Sequence, residues 1–290
     1  MREDVEFASE GECLRGWLSL PEGAGPHPAV VVTGGFGSVK EVFGHHDYPA
    51  VFCEAGLAVL TYDHANCGDS DGLPRQELDP VRQQRGYKDA ITYLSALPEV
   101  DADRIGIWGT SYSGGHVLAV GATDRRVRCV VSQAMTISGR ANLRGRHTPA
   151  ALADLYRRFA EDRLSRLAGN PPAMVQAFAD GSDTVRFMDG LPPEQRRNWQ
   201  NQITLRSWEL YAEYEPAAFI DRISPTPLLM IVPTDDTMTP AEDALAAYHR
   251  ALEPKRLLTV PGDHYSVYTD HFRRTSEAAR DWLLEHLGRP

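Results

Sequence analysis

The chain has 290 residues, of which 42% are hydrophobic, 24% charged and 9% aromatic, a globular composition that excludes collagen-like, disordered and disulfide-scaffold architectures. A net charge of −10 argues against nucleic-acid and anionic-membrane partners, because both need a basic surface. A mean hydropathy of −0.37 argues against a membrane span, and the charged opening MREDVEFASE is unlike a signal peptide, so a cytoplasmic location is expected.

Two partly alternating stretches, 5–7 and 14–20, read as half-exposed antiparallel strands. After them the pattern changes to short, nearly continuous runs of Val, Ile and Leu at 29–33, 58–63, 105–108, 127–132, 228–232 and 257–260. Such runs suit strands covered on both faces. Helical patterns at about 46–55, 81–97, 113–122, 241–251 and 275–287 separate them. The alternation predicts an α/β fold: a mostly parallel sheet with helices on both faces and active groups at the carboxyl ends of its strands.

Between 132 and 228 no strand-like run is found, and helical patterns at 150–167, 173–179 and 194–214 are punctuated by prolines. A crossover helix needs far fewer residues, so 138–222 is expected to be a helical cap inserted in a catalytic domain of 1–137 and 223–290. Its large apolar residues include Phe159, Met174, Phe178, Phe187, Met188, Trp199, Trp208, Tyr211 and Tyr214. Most are expected to pack the insertion against itself, and a minority to line an apolar pocket. Cys13, Cys53, Cys67 and Cys129 have no CxxC spacing, so they read as reduced, packed thiols rather than disulfides or zinc ligands.

A literal G-x-S-x-G occurs at Gly68-Asp69-Ser70-Asp71-Gly72. It lies in a polar loop with no strand entering and no helix leaving, and its two aspartates would repel an oxyanion, so it reads as a turn. The segment around Ser111 has the right context. A strand at 104–108 enters the turn 109–115, and a helical run at 116–122 leaves it. Gly109 and Ser113 are the small neighbours that a sharp turn tolerates. A phosphate-binding P-loop would need lysine where Gly115 stands. A dinucleotide-binding reading of the 33–38 loop fails because Gly35-x-Gly37-x-x-Lys40 lacks the third glycine.

A serine hydroxyl needs a base, and the base an orienting carboxylate. Of ten histidines, His264 alone sits on a loop directly after the last strand; His249 and His286 fall within helices, His45 and His46 open one, and His271 begins the final helical region. For the acid, the loop after 228–232 offers Asp236, with Asp235 as the fallback. The order Ser111, Asp236, His264 is the one expected of an α/β-hydrolase sheet. Oxyanion donors are expected at the backbone N–H of Tyr112 and, from the glycine-rich loop after 29–33, at that of Phe36.

On these residues the chain resembles α/β-hydrolase-fold serine hydrolases, and within them the branch of dienelactone-hydrolase-like proteins, Xaa-Pro peptidases, cocaine esterases and fungal polyketide transferases. The segments that carry the resemblance are 34–41, 63–72, 108–115, 236–240 and 262–265. Where many members have His-Gly before the oxyanion residue, this chain has Gly34-Gly35. The resemblance implies acyl transfer through an acyl-serine, with the acyl group passing to water or, as in the transferases, to an alcohol or amine. A small hydrophobic ester or thioester is the expected substrate, with no cofactor and no metal. A non-catalytic binding protein on the same fold is the alternative from another class. A serine nucleophile excludes the haloalkane-dehalogenase chemistry, which uses aspartate. A homodimer is compatible with the sequence, which does not determine it.

Overall fold

A computed structural model describes residues 2–43 and 48–288. The chain opens with an antiparallel pair, β1 (Arg2–Ser9) and β2 (Glu12–Ser19), in register Val5↔Gly16. The alternating units follow: β3 (His27–Thr33), α1 (Tyr48–Glu54), β4 (Ala58–Tyr62), α2 (Pro80–Ser95), β5 (Val100–Thr110), α3 (Tyr112–Thr123) and β6 (Val127–Gln133). A longer excursion contains α4 (Gly139–Arg146), α5 (Pro149–Leu167), β7 (Met174–Gln176), α6 (Asp183–Gly190), β8 (Gln202–Thr204) and α7 (Leu205–Ala212). The chain then returns through β9 (Leu228–Pro233), α8 (Ala241–Arg250), β10 (Lys255–Val260) and α9 (Phe272–Leu287).

Among the described residues the main sheet has eight strands in the order β1-β2-β4-β3-β5-β6-β9-β10, parallel from β4 onward. Because successive side chains in a strand point to opposite faces, β3 feeds two cores at once. Val31 joins Leu60, Ile107, Val130 and Met230 beneath α2, α3 and α8. Val30 and Val32 join Trp108, Val131, Leu229 and Ile231 beneath α1 and α9. Each such fully buried side chain contributes about 1.5–3 kcal/mol, so the central strands hold their register firmly.

Two sequence expectations change in the excursion. Of residues 173–179, expected helical, 174–176 instead form β7, which pairs antiparallel with β8 through Val175↔Ile203, and the rest are not helical. Prolines 171 and 172 favour extended backbone at the residues before them, 170 and 171, and Asn201 pins the ribbon by accepting from Phe178 N (2.9 Å) and donating to its carbonyl (2.8 Å). The stretch 194–214 is broken into a short 3-10 turn, β8 and α7, whose N-cap Thr204 accepts from Ser207 N at 3.2 Å. The expected helix at 46–55 is α1 at Tyr48–Glu54; His45, His46 and residue 47 lie outside the described residues. Among the described residues no helix is long and apolar enough to cross a membrane.

Candidate active site

β5 runs directly into Ser111, and α3 begins at the next residue. Ser111 has φ 57° and ψ −116°, a conformation that non-glycine residues rarely adopt. The surroundings enforce it. Its N–H donates to the Gln133 carbonyl (2.9 Å), and its own carbonyl accepts from Thr136 N (2.9 Å). Gly109 must lack a side chain, because a Cβ there would lie 2.3 Å from the Ser113 carbonyl oxygen. The strained turn lifts the hydroxyl clear of the backbone at the N-terminus of a helix.

The loops after β9 and β10 bring the other two residues to it. His264 Nε2 is 3.1 Å from Ser111 Oγ, and His264 Nδ1 is 2.7 Å from Asp236 Oδ2. Asp236 also accepts from Met238 N (2.8 Å), Thr239 N (2.9 Å) and Thr239 Oγ1 (2.8 Å). Burial works against its charge, yet the His264 imidazole and these hydrogen bonds outweigh burial and hold the carboxyl below the usual range. Asp235 turns elsewhere: its carboxylate accepts from Gly262 N at 2.8 Å and braces the loop that carries His264. Thr239, which the sequence reading did not single out, also contacts His264 Nδ1 at 3.3 Å, and its hydroxyl lies 2.9 Å from the Ala134 carbonyl, a second acceptor for the same proton.

The loop after β3 lies against the serine. A Cβ on Gly35 would stand 3.0 Å from Ser111 Cβ and 3.2 Å from its Oγ, so the backbone at Gly35-Phe36 approaches as only glycine permits. Tyr112 N–H falls in the first turn of α3, where no intrahelical acceptor exists. A buried ion cluster clamps the loop from behind. Lys40 donates from its backbone N (2.7 Å) and Nζ (2.8 Å) to Asp63, and from Nζ to Asp69 (2.5 Å). Glu41 accepts from Asn198 Nδ2 (2.6 Å) and Arg197 Nη2 (3.1 Å), which ties the same loop to the 193–201 segment. Sequence spacing carries no signal for this clamp, since its partners lie far apart in the chain. Ser70, the rejected candidate, is buried away from the site, where its hydroxyl donates to the Asp63 carbonyl at 2.6 Å and accepts from Arg15 N at 2.9 Å.

Above Ser111 lies a cavity of about 220 Å³. Six of the nine apolar residues noted between β6 and β9 line it: Phe178, Phe187, Met188, Trp199, Trp208 and Tyr211. The expectation that most would pack only against one another is therefore corrected. The reason is placement: α7 presents Trp208 and Tyr211 three residues apart on one helix face, with ring centroids 4.8 and 5.4 Å from Phe36. Phe159 and Tyr214 are buried behind them, and Met174 is exposed. Across the cavity, Phe187 stacks on Tyr265 at 4.7 Å, and the Tyr265 hydroxyl donates to Thr184 at 2.6 Å, which fastens α6 to the His264 loop. Among the described residues no group of three or more His, Cys, Asp or Glu is placed to hold a metal ion.

Comparison with known proteins places the chain in a family. Residues 11–266 match the family described as X-Pro dipeptidyl-peptidase (S15 family). A thiohydrolase of Eupenicillium brefeldianum is 33% identical over 267 residues, which cover 88% of this chain and 84% of that protein. A polyketide transferase of Penicillium crustosum is 33% identical over 99% of this chain and 98% of its own length. Among solved structures, the α/β hydrolase GrgF from Penicillium sp. sh18 superposes with a TM-score of 0.85 at 27% identity, covering both chains completely.

Proposed function

We propose, from the premise that this chain belongs to the X-Pro dipeptidyl-peptidase (S15) family and has the α/β-hydrolase fold, that it cleaves a carboxylic ester or thioester through an acyl-serine. The observation that carries this reading is the unbroken hydrogen-bonded line from Ser111 through His264 to Asp236 at the floor of an aromatic cavity. With the His264 Nδ1–H donated to Asp236, Nε2 presents its lone pair to the Ser111 hydroxyl. It takes that proton as Oγ attacks the carbonyl carbon. The N–H groups of Tyr112 and Phe36 receive the negative charge that develops on the carbonyl oxygen. Protonated His264 then gives its proton to the departing oxygen or sulfur, and Asp236 stabilises the imidazolium between the two transfers. Water, deprotonated by the same Nε2, adds to the acyl carbon; the bond to Oγ breaks, the acid leaves, and His264 returns the proton to Ser111.

The aromatic lining favours a hydrophobic acyl or alcohol part, and we read 138–222 as the cap that supplies it. Relatives named thiohydrolase favour a thioester. Relatives named polyketide transferase and acyltransferase favour a second reading, in which an alcohol or amine replaces water in the last step with the same three side chains.

The test is activity toward matched ester, thioester and amide panels for the wild type and Ser111→Ala. The variant is expected to lose a factor of about 10⁴ or more in kcat/KM, which corresponds to about 5 kcal/mol or more. A fluorophosphonate should label Ser111 in the folded wild type. Retained ester cleavage in Ser111→Ala, or absence of labelling, would sink the reading. Product analysis with candidate alcohols and amines present separates transfer from hydrolysis.

A further inference from the structure

The chain has a net charge of −10, yet residues 125–153 contain no aspartate or glutamate. α4 lies within that stretch and exposes Arg140, Arg144 and Arg146, none of which has a carboxylate partner among the described residues. Arg146, in the last turn of α4, reaches over the loop of the candidate acid, where its guanidinium donates to the Met238 carbonyl. Asn142, one helical turn earlier, donates to the same oxygen at 3.4 Å. Arg146 also lines the cavity. Among the described lining residues it is the one permanent cation, and none is acidic.

Its place around the cavity gives the charge a direction. A second depression of about 200 Å³ shares Arg146, Met238, His264 and Tyr265 with the main cavity, so Arg146 stands at the rim on the His264 side. The two acids of that depression are already engaged. Asp183 pairs with Arg186, and Asp263 Oδ1 accepts from Tyr265 N (3.0 Å), Ser266 N (3.1 Å) and Ser266 Oγ (2.9 Å). His264 has to protonate the departing atom, so the leaving group must lie on its side of Ser111. Trp208, Tyr211 and Phe178 crowd the Phe36 side, where an acyl chain would be held.

We infer that Arg146 binds an anionic group, a phosphate or a carboxylate, on the leaving-group half of the substrate. This rests on the reading of Ser111 as nucleophile and of His264 as the proton donor. The guanidinium has five N–H donors in a planar fork, and the Met238 carbonyl leaves most of them for a charge-assisted, two-pronged contact. Arg140 and Arg144 add positive field from exposed positions on the same helix. The result is an acyl site that is apolar and a leaving-group site whose one permanent cation, among the described lining residues, is Arg146.

The experiment compares one short acyl group carried on coenzyme A (phosphates), on 3-mercaptopropionate (a carboxylate) and on N-acetylcysteamine (neutral). The quantity read is kcat/KM of each anionic thioester divided by that of the neutral one. Arg146→Gln is expected to lower this ratio by about tenfold, Arg146→Lys to recover part of it, and raised salt to lower it more in the wild type than in Arg146→Gln. Which anionic thioester loses more tells phosphate from carboxylate. Binding of coenzyme A itself, measured by calorimetry, should weaken by a similar factor in Arg146→Gln, and this readout does not depend on turnover. A ratio and a coenzyme A affinity both within twofold of wild type would overturn the inference. Failure of the nucleophile reading would show separately, as Ser111→Ala cleaving the neutral thioester at the wild-type rate.

Discussion

Replacing Asp236 by asparagine tests the site at its most constrained point. All four groups around the carboxylate are donors: Met238 N and Thr239 N on Oδ1, and Thr239 Oγ1 and His264 Nδ1 on Oδ2. An asparagine amide has to place its NH₂ on one of these sides. Facing the two backbone N–H groups, it would leave two buried donors unsatisfied, at about 1–3 kcal/mol each. Facing Oδ2's partners is cheaper. The Thr239 hydroxyl already lies 2.9 Å from the Ala134 carbonyl and can turn to it, and His264 can adopt the tautomer that accepts at Nδ1. That tautomer carries its proton on Nε2, pointed at Ser111, and the base is gone. The expected loss is about 10⁴-fold in kcat, or about 5.5 kcal/mol, the size typical of an Asp-to-Asn change in a Ser-His-Asp triad. Because shape and volume are conserved, Tm should fall by only a few degrees. The assay is steady-state hydrolysis of an aryl ester together with a thermal melt. An Asp236→Asn variant within tenfold of wild type would refute the claim that this carboxylate sets the tautomer. The carboxyl is held below its usual range, so its stabilising contribution is present above the ordinary carboxylate pKa and is lost as pH falls through the lower folded value.

Further outcomes follow from other contacts. Gly35→Ala would place a methyl 3.0 Å from Ser111 Cβ, and should lower kcat by about 10–100-fold with little change in Tm; an alanine variant of full activity would show that the loop yields. Trp208→Ala removes the ring stacked 4.8 Å from Phe36, and the preference for octanoyl over acetyl thioesters should drop by about tenfold; an unchanged preference would mean that the acyl chain lies elsewhere. His64 is fully buried, and burial lowers its pKa to about 3. The folded state therefore keeps it neutral while the unfolded chain takes up a proton below about pH 6.5, so stability present above that pH is lost on acidification. At pH 5 one such histidine costs about 2 kcal/mol, and the Tm difference between pH 7 and pH 5 should shrink in His64→Gln. Equal differences in variant and wild type would show that His64 is not held neutral.

Local sequence determined the parallel strands and the address of Ser111. Both depend on neighbours within a few residues: Val30, Val31 and Val32 carry the two-faced burial of β3, and Gly109 sits where the turn leaves no room for a Cβ. The loop position of His264 was equally local, because it follows directly from the end of β10. Tertiary structure decided what sequence spacing leaves open. Asp235 and Asp236 are adjacent on one loop, and only the approach of the 262–264 segment assigns Asp235 to Gly262 N and Asp236 to His264. A helical period at 173–179 gave way to the β7–β8 ribbon because its partner strand lies about thirty residues on, beyond the reach of any local pattern. The aromatic cavity and the Lys40–Asp63 clamp are likewise contacts between distant segments. The net charge of −10, a whole-chain average, argues against anionic partners. The fold places Arg146 among the residues that line the cavity, as the one permanent cation of the described lining, and there the nearest charge outweighs a whole-chain average.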